Sequence, residues 1–323
     1  MSFAWIREPG KSSEVFSLND NSSGDFYFSP FEGEIKRLSI TERIRANCAD
    51  WVLTKLSFKD LPNINPQDSH NEESYLKIVS KAVQSCLNGA LEKVVLSRRK
   101  AHIDISVSPI SVFERMCDEY PLATIYLISI TGNSLWMGAT PECLLELTGN
   151  KLKTMSLAAT RPTGSEGSWG IKEQEEQHLV TRDIVHMLDA IGCESITVEG
   201  PDILSAGPVE HLCSIIRGKH LNDPPITIAK SLHPTPAVGG LPRAQSKAFI
   251  GQNEGYDRSF YSGYFGWESN MRSIFYVNLR CMEIGRDGIL CYAGGGITSK
   301  SNSNEEWIET EEKLKTLERV ILG

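Results

Sequence analysis

The sequence predicts an α+β fold. Three apolar stretches of strand character are interrupted by short turn signals, which implies antiparallel hairpins. Between and around them lie segments whose apolar residues recur at helical spacing. Strands that return through tight turns need no crossover helix, so a doubly wound parallel sheet is disfavoured.

Residues 1–70 are weakly patterned, with a loop at Leu61-Pro62-Asn63-Ile64-Asn65-Pro66. Glu72 to Asn88 reads as a helix, because Ile78, Val79, Ala82, Val83, Cys86 and Leu87 form one stripe. Gly89 supplies its end. Lys93 to Ser97 is a strand. Ala123–Ile130 and Ser134–Met137 pair through Thr131-Gly132-Asn133, and Cys143–Leu147 and Lys151–Ser156 through Thr148-Gly149-Asn150. A second strand-rich region runs from Tyr261 to Ala293 and turns at Gly285-Arg286-Asp287-Gly288. Helices are expected over Ser111–Glu119, Ile171–Ile191, Ile226–Ser231 and Asn304–Leu322.

The chain has 323 residues, 40% hydrophobic and 23% charged, with net charge −8. That length supports a sizeable core. The acidic balance argues against nucleic acid as the main partner, since phosphate binding needs surplus Lys and Arg. No apolar run reaches membrane-helix length, and the first residues lack a signal-peptide pattern. A cytoplasmic, membrane-free chain is therefore expected. The eight cysteines include no C-x-x-C pair, so they read as structural thiols.

Several polar residues stand where chemistry could use them. Glu306, Glu309 and Lys313 share one stripe of the last helix, beside the apolar face of Trp307, Leu314, Leu317 and Ile321. A solvated Glu309–Lys313 pair would account for that stripe equally well. Glu176 heads the core stripe Val180, Ile184, Met187, Leu188 and Ile191. A carboxylate in line with a core face needs a partner, unless the helix start is simply exposed. Ala293-Gly294-Gly295-Gly296-Ile297 follows a strand, as an anion cradle or as a bulge or tight turn. It is not a P-loop, for no G-x-x-x-x-G-K-[ST] occurs. Arg280 ends the strand Ile274–Leu279, Lys93 opens an apolar strand, and Glu142 follows Thr140-Pro141 at a turn.

Taken together and in order, these stretches resemble the chorismate-utilising enzymes. The resemblance runs from about Leu76 to the C-terminus. It is carried by Lys93-Val94-Val95-Leu96-Ser97-Arg98, Thr140-Pro141-Glu142-Cys143-Leu144-Leu145 and Leu157-Ala158-Ala159-Thr160-Arg161-Pro162. Further on come Glu176 to Val180, His233-Pro234-Thr235-Pro236-Ala237, Gly240-Leu241-Pro242 and Tyr261-Ser262-Gly263-Tyr264-Phe265-Gly266. Val277-Asn278-Leu279-Arg280, the glycine segment and Glu306-Trp307-Ile308-Glu309-Thr310 through Lys313 complete it.

The resemblance implies two interleaved subdomains with large antiparallel sheets flanked by helices. Residues 1–70 would be a short N-terminal part of that unit and 71–323 the chorismate-binding catalytic domain. It implies Mg²⁺ on Glu176 and Glu309, with Glu306 close by. Arg280, Lys313 and the amides of Gly294 and Gly295 would hold the substrate's carboxylates. Thr160 and Tyr261 would line the pocket, and His233 would sit near the ring. Glu142 would be the acid and Lys93 the base.

Ammonia-using relatives typically carry Gln where this chain has Lys93. Aminodeoxychorismate synthases carry a covalent lysine where it has Ala158. His-Pro-Thr-Pro-Ala is similar to the isochorismate and salicylate branch. The implied activity is isochorismate synthase, feeding menaquinone or catechol siderophores, without a glutamine amidotransferase subunit and as a monomer. Salicylate synthase and a non-catalytic chorismate-binding relative are the alternatives. One departure stands out: the family usually has Gly where this chain has Ala159.

Overall fold

A computed structural model describes residues 1–20, 24–105, 107–131, 135–207, 209–220 and 223–322. The first half of the chain contributes β1 (Ser2–Arg7), β2 (Glu14–Asn19), β3 (Phe26–Ser29), β4 (Lys36–Ile44), α1 (Cys48–Lys55), α2 (Glu72–Leu87), β5 (Lys93–Ile103), α3 (Pro109–Glu119), β6 (Thr124–Ser129), β7 (Leu135–Thr140), β8 (Cys143–Thr148) and β9 (Lys151–Pro162). The second contributes α4 (Ile171–Ala190), β10 (Glu194–Ala206), β11 (Val209–Lys219), α5 (Pro225–Leu232), β12 (Gly240–Leu241), α6 (Arg243–Asn253), β13 (Tyr264–Trp267), β14 (Ser273–Val277), β15 (Cys281–Ile284), β16 (Gly288–Ile297) and α7 (Ser303–Leu322). The expected Gly132-Asn133 turn lies outside the described residues, but β6 and β7 pair in register on either side of it.

The strands hydrogen-bond in one continuous order, β10-β11-β9-β8-β14-β13-β3-β4-β2-β1-β6-β7-β15-β16-β5-β12, and the pairings are antiparallel. The α+β class is therefore as the hairpins implied. The N-terminal strands β1–β4 sit in the middle of that order.

Alternation along the strands sorts side chains into layers. On β1, Phe3 and Trp5 face a cluster with Phe113 and Met116 of α3 and Leu314 and Leu317 of α7. Ala4 and Ile6 face the other way, toward Phe16, Phe28, Trp136 and Phe265. On β14, Ile274 and Tyr276 join that same aromatic cluster, whereas Phe275 packs with Val180, Ile184 and Leu188 of α4. Two sheet halves thus enclose an aromatic core, with helices covering their outer faces. Trp5 stacks on Phe113 at 3.8 Å and Phe28 on Phe260 at 3.8 Å, so both interfaces are tightly packed.

The glycine segment is neither a bulge nor a turn. Gly294, Gly295 and Gly296 continue β16 and pair with Ser97, Leu96 and Val95 of β5. Arg280 also lies beyond its expected strand: β14 stops at Val277, and Arg280 occupies the turn into β15 with φ +47°.

Candidate active site

One narrow cavity opens where β9, β16, α4 and α7 converge with the turns preceding β8 and β15. Glu142, Thr160, Glu176, Tyr261, Arg280, Gly294, Glu309 and Lys313 all line it. Eight of the residues singled out in the sequence therefore share one space. Its rim also carries strain: Ala159, Ser262 and Arg280 line the cavity with φ of +58°, +60° and +47°. Left-handed backbone costs a side-chain-bearing residue about 1–2 kcal/mol, and such strain clusters at functional sites.

Helix α4 delivers Glu176, whose Oε1 lies 2.8 Å from Lys93 Nζ on β5. Lys93 is buried just behind this carboxylate. Helix α7 delivers the other two glutamates. Glu309 Oε1 is 2.7 Å from Lys313 Nζ, which also donates to the Gly294 carbonyl at 2.8 Å. Glu306 Oε1 is 2.9 Å from Lys172 Nζ, while its Oε2 is buried with no hydrogen bond among the described residues. Sequence reasoning missed Lys172, an ordinary exposed-looking residue of a helical first turn.

The glycines make room for these carboxylates. A Cβ on Gly296 would stand 2.5 Å from Glu176 Oε1 and 2.9 Å from Lys93 Cε. One on Gly295 would stand 3.1 Å from Glu306 Oε2. Only a strand without side chains lets two helices aim carboxylates at its backbone.

The electrostatics differ residue by residue. Burial pushes the Glu142 carboxyl up to about 8, against the pull of the Lys93 ammonium. Burial pushes Glu176 up too, but Lys93, Lys313 and Lys172 outweigh it and hold it ionised below its usual range. Burial and the neighbouring Glu309 carboxylate raise Glu306, opposed by Lys172. Arg280 is buried, and burial lowers it to about 10. Among the described residues its partners are the Ala206 carbonyl and His211, neither of them a carboxylate. A buried guanidinium without a counter-charge is costly unless an anion comes to it.

His233 does not line this cavity. Its Nε2 donates to the Phe31 carbonyl at 3.1 Å and its ring packs edge-on against Tyr264. His211 of β11 does line it, between Arg280 and the Ala159 carbonyl. Sequence reasoning missed it: β11 mixes Glu210, His211, Ser214, Arg217 and Lys219 with apolar residues, and nothing local sets His211 apart.

Comparison with known proteins shows the family. The profile of the family described as chorismate binding enzyme matches residues 34–322. The chain belongs to that family. It is 29% identical over 290 residues to isochorismate synthase MenF of Escherichia coli K12, spanning 83% of this chain and 66% of the relative. It is 26% identical over 259 residues to isochorismate synthase EntC of the same organism, covering 76% and 66%. The chain thus spans about two thirds of the length of both relatives. The solved structure of the menaquinone-specific isochorismate synthase MenF from E. coli superposes with TM-score 0.82 at 23% identity, covering 100% of this chain and 89% of that one. Anthranilate synthase component I of Streptococcus pneumoniae superposes at 0.62 and 19% identity, covering 95% and 72%. These two structures speak for the fold. Among the described residues, no helix is long and apolar enough to cross a membrane.

Proposed function

We propose that this chorismate-binding family member is an isochorismate synthase. Water adds at C2 of chorismate, the ring double bond shifts, and the C4 hydroxyl leaves as water. One observation carries the reading: a buried carboxyl, Glu142, shares a cavity with a buried guanidinium, Arg280, whose partners among the described residues include no carboxylate.

Arg280 supplies the charge that a dicarboxylate needs, and Lys313 and the Gly294 backbone border the same space. Thr160 and Tyr261 shape its walls. Hydroxide is a poor leaving group, so an acid must protonate it, and Glu142 carries its proton at neutral pH. Water is a poor nucleophile, so a base must take its proton, and Lys93 is the candidate. Its ammonium now pairs with Glu176, and the two must part before the amine can act.

The carboxylates also fit a hard divalent cation in kind. Among the described residues Glu306 Oε2 is a buried oxygen with no hydrogen bond of good geometry, though the Ser301 side chain is near enough to favour the ionised carboxyl, and Glu176 and Glu309 line the cavity beside it. As arranged, with each carboxylate on a lysine, no group of three acidic, histidine or cysteine ligands converges among the described residues. Glu176 and Glu309 would hold Mg²⁺, with Glu306 close by. When bound, the cation supplies a positive centre that orients and neutralises the ring carboxylate. The nucleophile comes from water, so we read the enzyme as a monomer working without a glutamine amidotransferase. Its relatives include a menaquinone-specific and a vibriobactin-specific isochorismate synthase, so the product could feed either kind of route.

The test pairs Glu142→Gln with Lys93→Ala. Turnover of chorismate should fall roughly a hundred- to ten-thousand-fold in each, with chorismate binding kept. Full turnover in both variants would refute the assigned roles.

A further inference from the structure

We infer that His211 is a positioning residue that aims the Arg280 guanidinium at the anionic substrate. The inference rests on the chorismate reading above. It starts from the register of β9 and β11. Glu210 faces Arg161 and Leu212 faces Ala158, so His211 alone opposes both Ala159 and Thr160. That is a bulge in β9, and Ala159 at φ +58° is its left-handed first residue. Glycine is the easy occupant of such a place, and Ala159 holds it with a side chain.

The bulge turns the Ala159 carbonyl toward His211 Nδ1, 2.8 Å away. Thr160 Oγ1 lies 3.3 Å from the same nitrogen. A carbonyl only accepts, so Nδ1 carries the proton and Nε2 carries the lone pair. That lone pair faces Arg280 Nη2, which donates to it, while Arg280 Nη1 donates to the Ala206 carbonyl. Two acceptors without charge therefore fix the guanidinium.

The absence of charge in these partners is the point. A carboxylate in place of His211 would orient the guanidinium equally well, but it would neutralise it and compete with the substrate. An imidazole fixes direction and leaves the positive charge for the incoming carboxylate. The rigid ring also ties the β14–β15 turn to the β9 bulge, so Arg280 and Thr160 keep their relative placement.

The test compares His211→Asn, which can keep a donor near Nδ1 but loses the acceptor at Nε2, with His211→Gln, which can restore that acceptor. Chorismate binding is measured by calorimetry in the Glu142→Gln background, and KM and kcat in the active protein. His211→Asn should weaken binding and raise KM roughly ten- to a hundred-fold, with kcat changed less. His211→Gln should recover most of the loss. In an Arg280→Lys background, His211→Asn should add less than about threefold. Wild-type-like binding in His211→Asn, or a full additional loss in Arg280→Lys, would overturn the inference. So would equal losses in both histidine variants. Independently of chorismate, ¹⁵N shifts of His211 should report a neutral ring protonated at Nδ1. An Nε2-protonated ring overturns the positioning role even if turnover is confirmed. A wild type that binds no chorismate, with the Nδ1 proton in place, instead overturns the substrate reading on which the role depends.

Discussion

The Lys172 ammonium lies 2.9 Å from Glu306 Oε1, and the other oxygen of that carboxylate is buried with no hydrogen bond among the described residues. With Lys93 on Glu176 and Lys313 on Glu309, three lysines answer three glutamates one to one. A divalent cation that binds these carboxylates must compete with the resident ammonium groups. Lys172 is the one among them with no other assigned task. Lys172→Gln should therefore bind Mg²⁺ several-fold more tightly by calorimetry. Unchanged or weaker binding would show that Lys172 does not compete for the site.

Glu142 sets an alkaline limit. A carboxyl raised to about 8 keeps its proton below that pH and loses it above. The acid form needed for leaving-group protonation therefore disappears as pH rises through about 8. The profile of kcat/KM should fall on that limb, tenfold per pH unit beyond it. A flat profile to pH 9.5 would remove Glu142 from the acid role.

His233 sets an acid limit on stability rather than on chemistry. Burial lowers its folded value to about 4 from the ordinary 6.5. The unfolded chain then binds a proton that the folded chain refuses as pH falls from 6.5 toward 4. Stability is lost across that window, by roughly 3 kcal/mol for this residue. His233→Gln can keep a donor for the Phe31 carbonyl and should flatten the acid slope in denaturant titrations at pH 7, 5.5 and 4.5. An unchanged slope would mean that other groups set it.

Ala159 carries a strain that glycine would not. Its φ of +58° costs about 1–2 kcal/mol, and the glycine entropy penalty returns part of that. Ala159→Gly should stabilise the protein by about 0.5–1 kcal/mol and raise Tm by a degree or more. A lower Tm would show that the methyl earns its place by packing.

Much of the site was legible because its residues break local pattern. Glu176 stands on a core stripe, Glu306 borders an apolar face, and three consecutive glycines close an apolar run. The α+β class was legible from turn residues between apolar runs. The misses have physical reasons. β1 is buried along its whole length, so Ser2–Arg7 shows no alternation. β10 is an edge strand that buries only Ala206 and is broken by Gly200-Pro201, so its apolar residues keep no regular alternation. α6 buries only Ser246 and Ile250, too little for a stripe. Lys172 and His211 act through partners distant in sequence, and no local spacing announces such contacts.

The most direct test of the central claim is the product itself. Purified protein incubated with chorismate and Mg²⁺, beside an EDTA control, should yield isochorismate by chromatography, and EDTA should abolish it. Salicylate with pyruvate would keep the cavity chemistry but contradict the assigned product. No conversion at all, with chorismate still bound, would contradict the catalytic account.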